Sequence, residues 1–503
     1  MLNLGVTMAD YQTVGGYVGQ ANIDPQDLAD LAKALEAGEI TGRETTDSQT
    51  ASGAPLKTES LEKNLKVLTY SEADIVLWRR TEKLPAYNTV EEYNQLISYG
   101  ADRGGFNNEG ELPETEDTVY VRRAQLVKFL GVTKEVTHPM QLVNTMIGPM
   151  IQSQINAGTM WILRKANRAM AFGNEKLIPQ EFNGLYAQHE NNDVYGGSLA
   201  NYWESDVLID LRGDALGEAQ IEEAANAVIE NFGYGNLLMA PPRVLSDFVK
   251  GFYGNKFIQP GAGGTKDGVM GQSVKTFASQ FGDVELGYDK FLRSGVGRKT
   301  TDAATHPTKA PAPVTIGSSN AAATVTDTAN LFGSAFAGSY YYAVAAGNRY
   351  GESQLTAMNT ADSSTFSLTV ASTQSVNLTF SDGGGTVPAS FYTIYRSKKN
   401  PGTSVSATVL YPLFSVSIAE RTSGYDGGSA GVVRDRNRRL PDTNEAFFIQ
   451  GDTEVFAFKQ LAPLMKMDLA ILGPSTRFMI LLYGTPQLYA PKKMVRFVNI
   501  GML

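Results

Sequence analysis

Apolar residues between Pro139 and Gly173 recur at three- and four-residue spacing: Val143, Met146, Ile147, Met150, Ile151, Ile155, Gly158, Ile162, Ala166, Ala169 and Met170. That period predicts one long amphipathic helix, with Gln152, Asn156, Arg164, Lys165, Asn167 and Arg168 off the stripe. Pro149 predicts a kink or a start at that point. Gly173 and Asn174 predict a left-handed stop. Even the shorter helix spans roughly 35 Å at 1.5 Å per residue. Periodicity alone favours an ordinary core helix; the length also suits a strut across a sheet in a flat, extended subunit.

Upstream the period changes to two. Tyr87, Glu91, Tyr93, Gln95, Ile97 and Tyr99 alternate outward, and Val119, Val121, Arg123, Gln125, Val127 and Phe129 alternate back, predicting a two-stranded excursion over 86–137. Its turn-rich tip carries the acids Asp102, Glu109, Glu111, Glu114, Glu116 and Asp117 and one base, Arg103. An isolated hairpin is marginal in water, so this one must lie on something. It is either an inter-subunit arm whose acidic tip meets a basic surface or a solvated loop, and its length favours the arm. Arg164, Lys165 and Arg168 on the long helix are the candidate basic partners, each ion pair contributing about 0–1 kcal/mol.

Residues 1–85 hold one short helix, with Asp24 as N-cap, Leu28, Leu31, Ala32 and Leu35 on one side and Gly38 as stop. A Ser/Thr/Gly-rich stretch to about residue 60 follows, a tether, an arm on a neighbour or a loose tail. Val67, Leu68, Ile75, Val76, Leu77 and Trp78 restore apolar content. Residues 206–300 read as α/β: a strand at 207–211, a helix from Glu218 to Phe232, a strand at 236–242, a helix at 243–254 and further strands. Ile221, Ala224, Ala225, Val228, Ile229 and Phe232 are expected on the buried side of the first helix, with Gly233 and Gly235 ending it. Residues 301–430 contain only 13 charged residues, and short alternating runs such as Tyr340–Asn348 and Phe391–Ser397 recur between turns, the pattern of a small antiparallel β-sandwich. Mixed composition returns after 440, so the sandwich interrupts the α/β domain.

The chain has 503 residues, enough for about three domains. Its net charge of −9 gives no basic footprint for nucleic acid. It has no cysteine, which excludes disulfides and thiolate metal sites. No signal peptide or membrane span is expected: the strongest apolar run, Phe478–Tyr483, is far too short. The expectation is a soluble chain made in the cytoplasm. The three histidines, His138, His189 and His306, form no ligand-spaced cluster. The run GAGGTKDG (261–268) lacks the Gly-Lys-Ser/Thr of a phosphate loop. Glu91-Glu92 and Glu222-Glu223 are sequential neighbours and point apart. The run RDRNRR (434–439) is expected to be a solvated or salt-bridged interdomain segment. No catalytic, cofactor-binding or metal site is expected.

The stretch YNTVEEYNQLISYGADRGGFNNEGELPETEDTVYVRRAQLVKFLGVTKEVTHPMQLVN, together with the order of elements around it, resembles the tailed-phage major capsid protein family with the Hong Kong 97-type shell fold. The resemblance implies an α+β fold with an N-terminal arm (1–85), an extended β loop (86–137), a spine helix and start of a peripheral domain (138–205), an axial α/β domain (206–300), an insert (301–435) and a return to the axial and peripheral domains (436–503). In the insert, Tyr340-x-Tyr342-x-Val344-x-Ala346-x-Asn348-x-x-Gly351-x-Ser353 is similar to the late-strand pattern of immunoglobulin-like and fibronectin type III domains, implying an all-β immunoglobulin-like sandwich, of a kind that faces outward on phage heads. The implied function is a structural, non-enzymatic subunit that self-assembles through hexamers and pentamers into an icosahedral head of a double-stranded DNA bacteriophage. The implied partners are copies of itself, with scaffolding, portal and cement or decoration proteins; DNA is enclosed, not specifically bound, and no membrane or cofactor is involved. The implied location is the virion capsid, assembled in the host cytoplasm. Asn107 and Asn108 stand at the tip without a lysine between Gly100 and Thr118, so the lysine–asparagine cross-link of some family members is not expected there. A nanocompartment shell of the encapsulin type and a surface adhesin built on the sandwich remain the alternatives, separated by whether DNA or an enzyme is enclosed and by the missing secretion signal. A hydrolase or transferase lacks a nucleophile–base pair.

Overall fold

In the computed structural model the long helix runs from Met150 to Phe172, with Pro149 as its N-cap, and a separate five-residue helix, His138–Leu142, precedes it. The structure describes residues 69–502 except 101–104, 113–114, 144–148, 191–201, 252–273, 294, 318–320, 360–365, 403 and 471–472. The short helix expected from Asp24, the polar stretch after it and the 261–268 loop lie outside the described residues. Gly173 does not make the expected left-handed stop: its φ and ψ are −57° and 141°. Glycine is needed there for space, because a Cβ would lie 2.5 Å from the carbonyl oxygens of Ala169 and Phe182.

Ile162, Ala166 and Met170 are fully buried in one core with Phe478, Ile480 and Leu482. The sheet beneath them has four strands. Lys83–Pro85 runs parallel to Phe456–Asp468, which pairs antiparallel with Ser475–Leu488, which pairs antiparallel with Lys128–Thr137. Lys128–Thr137 thus belongs to the sheet, and the two-stranded ladder is Val90–Ser98 on Val119–Leu126. Asn167, expected off the buried stripe, is fully buried. Its amide oxygen accepts from the Trp78 N–H at 2.7 Å, and its amide nitrogen donates to Asp289 at 2.7 Å. Both ends of the amide are satisfied, which is the condition for burying one.

The second sheet has six strands in the spatial order Leu208–Asp210, Met494–Ile500, Asn444–Ile449, Leu237–Ala240, Gly282–Tyr288 and Thr276–Ser279. Successive strand residues point to opposite faces, so Ala446 and Phe448 pack under the helices Glu218–Glu230 and Pro242–Gly251, while Phe447 and Ile449 join the core of the long helix. A sheet covered on both faces explains strands without polar alternation. Phe232, expected on the buried side of its helix, is instead 90 % exposed.

Residues 321–435 carry sheets of their own. Tyr342–Asn348 lies between Phe391–Arg396 and two short strands, with Tyr411–Ser417 beyond Phe391–Arg396. Gln374–Thr379 lies between Ala321–Thr326 and Val432–Asp435. Tyr342, Val344, Ala346 and Ile394 from the first sheet share one core with Val376, Leu378 and Val433 from the second.

Candidate assembly interface

The hairpin stands on the body by one face of its root. The Tyr93 hydroxyl donates to the Leu488 carbonyl at 3.1 Å, its ring meets Tyr489 edge to face at 5.0 Å, and the Gln95 amide donates to the Tyr489 carbonyl. Burial pushes the Tyr93 hydroxyl up to about 12, with Arg123 pulling the other way. The opposite face has no such cover. There Val90 pairs with Leu126 and Leu96 with Tyr120, all four exposed, with the Glu92–Arg122 ion pair between them at 3.3 Å. Fully burying one such side chain contributes about 1.5–3 kcal/mol. A second layer is therefore what this ribbon lacks.

At the tip, Glu109, Glu111, Glu116 and Asp117 are exposed; Asp102, Arg103 and Glu114 lie outside the described residues. Glu111 accepts from the backbone and side-chain nitrogens of Asn108 at 3.2 and 3.0 Å, closing a turn that Gly110 completes at φ 86°. Phe106 and Leu112 are almost wholly exposed. The helix bases lie elsewhere. Arg164 stacks over the Tyr70 ring at 5.2 Å, and Lys165 sits over Trp161 at 5.9 Å. Burial raises the Glu181 carboxyl above its ordinary range, and the charges of Lys165 and Arg168 hold it back. Both bases thus already face an acid of their own chain.

Sequence reasoning missed a seam of buried charge where the 321–435 sheets meet the six-stranded sheet. The RDRNRR segment is salt-bridged but not solvated: Arg436 reaches Asp327 at 2.8 Å and Asp426 at 3.1 Å, Arg438 reaches Asp426 at 3.1 Å, and Arg439 reaches Glu445 at 3.2 Å. Arg496, fully buried, donates to Glu445 at 2.9 Å and to the Tyr202 hydroxyl at 3.1 Å, with its guanidinium 3.6 Å from the Tyr186 ring centre. Tyr202 accepts from Arg496, so its own proton goes to His189 Nδ1 at 2.8 Å, and His189 Nε2–H donates to the Met494 carbonyl at 2.9 Å. That tautomer is neutral, and burial depresses the imidazole to about 3. The one signal of this seam in the sequence is four arginines and three acids crowded between 434 and 445.

Glu190 is the carboxylate served second. Glu445 takes the short contacts of both arginines, leaving Glu190 at 3.9 Å from Arg439 and from Arg496. Burial pushes its carboxyl up to about 7, against the pull of Arg496. A raised carboxyl contributes stability that is full below the unfolded value near 4.5 and lost as pH rises through 7. His189 acts oppositely, costing stability as pH falls through about 6.5. Between pH 6.5 and 8 the Glu190 loss is roughly twice the opposing gain from His189. We expect thermal melting to show about 0.5 kcal/mol of net stability lost across that window, and Glu190→Gln to abolish or reverse the slope; an unchanged slope would remove Glu190 as its source.

The family model for the SU10 major capsid protein matches residues 32–306. The major capsid protein of Staphylococcus phage S25-3 is 25 % identical over 463 residues, covering 91 % of this chain and 92 % of that one. The putative major capsid protein of Enterococcus phage phiEF24C is 22 % identical over 495 residues, covering 94 % and 96 %. Among solved structures, the capsid of Myoviridae phage XM1 aligns with a TM-score of 0.40 at 8 % identity, covering 91 % of this chain and all of that one.

Proposed function

This chain belongs to the SU10 major capsid protein family, and on that premise we propose how it builds a shell. Its role is structural, as a major capsid protein of a bacteriophage. In our reading the fold is of the Hong Kong 97 type, with residues 86–137 as its extended loop, Met150–Phe172 as its spine helix and 301–435 as an immunoglobulin-like insert on the outer surface. Copies close through hexamers and pentamers into an icosahedral head around double-stranded DNA, with scaffolding, portal and cement proteins as further partners.

The observation that carries this reading is the uncovered outer face of the hairpin. A two-stranded ribbon with exposed Val90, Leu96, Tyr120 and Leu126 completes its burial only on a second copy, through a repeated heterologous contact. Its acidic tip then meets a basic surface of that copy, for which Arg164, Lys165 and Arg168 are the candidates legible in the sequence. Deleting 102–117 should leave a folded subunit with an unchanged melting profile and abolish particles under electron microscopy. Particles of normal yield and size from that deletion would end the arm reading.

A further inference from the structure

A groove of about 970 Å³ opens between the hairpin and the body, lined on one side by Tyr93, Ile97 and Tyr99 and on the other by Phe232 and Lys492–Lys493. Ile97, Tyr99 and Phe232 are exposed apolar side chains, and Phe232 is the informative one. It follows the helix Glu218–Glu230 at the position where the chain turns left-handed, with φ 59°. Two hydrogen bonds fix the turn: Gly233 N–H to the Val228 carbonyl and Phe232 N–H to the Ile229 carbonyl, both at 2.9 Å. Glycine or asparagine usually takes this place, and a bulky L-residue costs roughly 1–2 kcal/mol there. Within one subunit nothing offsets that cost, since the ring is 90 % exposed. Backbone strain that holds an aromatic ring out into a groove points to a partner that covers the ring.

Charge indicates which partner. Lys492 is exposed at the groove wall, and the Lys493 stem runs past Gly233, with Glu454 the one acid among the lining residues described. The hairpin tip carries the complement: exposed Phe106 and Leu112 among the acids Glu109, Glu111, Glu116 and Asp117. Arg164 and Lys165, by contrast, already lie against rings of their own chain. We infer that the groove of one subunit receives the hairpin tip of a second copy, with Phe106 or Leu112 covering Phe232 and the tip acids facing Lys492 and Lys493. This rests on the arm reading above and names the surface that the arm grips.

The test uses the full chain, with particle yield read by sedimentation and electron microscopy. Lys492→Glu with Lys493→Glu should lower yield ~10-fold, the effect of about 1.4 kcal/mol, while the unassembled subunit melts as before. Adding Glu109→Lys and Glu111→Lys to that variant should restore yield; failure to restore it overturns the pairing. Phe232→Asn should lower yield while the free subunit melts at the same or a higher temperature, and this variant carries the test if the lysine changes disturb folding. If the lysine and Phe232 variants assemble normally while deletion of 102–117 blocks assembly, the groove assignment falls and the arm stands. If the deletion also assembles normally, both fall.

Discussion

Arg396→Met should cost the protein about 3–5 kcal/mol, the range for stripping one partner from a buried ion pair. Arg396 is fully buried. It donates to Asp435 at 2.7 Å, to the Asn437 side chain at 2.7 Å and to the Arg439 carbonyl at 3.1 Å. Its guanidinium also lies 5.0 Å from the Tyr340 ring centre and 5.3 Å from that of Phe332. Methionine keeps the apolar stem against those rings, so the loss reports the charge. Asp435 would retain the Tyr342 hydroxyl at 2.8 Å and the Asn437 N–H at 2.7 Å, too little to hold a carboxylate without a countercharge. The loss should fall on residues 321–435, visible as faster amide exchange in Tyr342–Asn348 and Phe391–Arg396. Adding Asp435→Asn removes the stranded charge and keeps an oxygen for the Asn437 N–H, so the double variant should be more stable than Arg396→Met alone. A single variant within 1 kcal/mol of the parent would show that the pair does not hold residues 321–435 together.

Gly235→Ala should destabilise by about 3 kcal/mol, at the upper end for overpacking a core. A Cβ there would lie 1.8 Å from a ring carbon of Phe448. That ring is fully buried with Leu238, Val495 and Phe497, so it has no room to turn aside. Gly158→Ala is the control. Its Cβ would crowd the terminal Cδ1 of Ile480, at 2.6 Å, which can rotate, with Val132 and Lys134 at ordinary contact distances of 3.5 and 3.7 Å, and alanine gains about 1 kcal/mol over glycine in a helix. The two substitutions should therefore separate clearly in chemical denaturation, and equal midpoints would refute the packing argument.

Local period carried much of the fold. Alternation located the hairpin strands and the runs Tyr342–Asn348 and Phe391–Arg396, and the three-four stripe located Met150–Phe172, with Pro149 marking its true start. What escaped depends on distant partners. Asn167 reads as a surface residue until Trp78 and Asp289 arrive to satisfy its amide. RDRNRR reads as solvated or salt-bridged alike, because Asp327, the partner of Arg436, lies 109 positions away in sequence. Gly173 and Gly235 read as helix stops, yet each is glycine because another segment passes within contact distance. Phe232 fits the helical stripe by spacing alone; the turn that expels it belongs to the helix end. Of the interface, the acidic tip was visible in the sequence, but the groove was not, since hairpin residues 93–99 and residues 489–493 meet only in the folded chain.

The root of the hairpin rests on residues about 395 positions further along the chain. Lys128–Thr137 pairs with Ser475–Leu488, and Tyr93 and Gln95 rest on Leu488 and Tyr489. A ribosome must therefore add some 350 further residues after the arm before its root can dock, and loop closure on that scale is slow. Until then the hairpin root lacks its support and the groove beside it lacks residues 489–493. If hairpin tip and groove join copies as proposed, a nascent chain cannot enter a shell before residues 488–493 have been made, and the order of synthesis itself delays assembly.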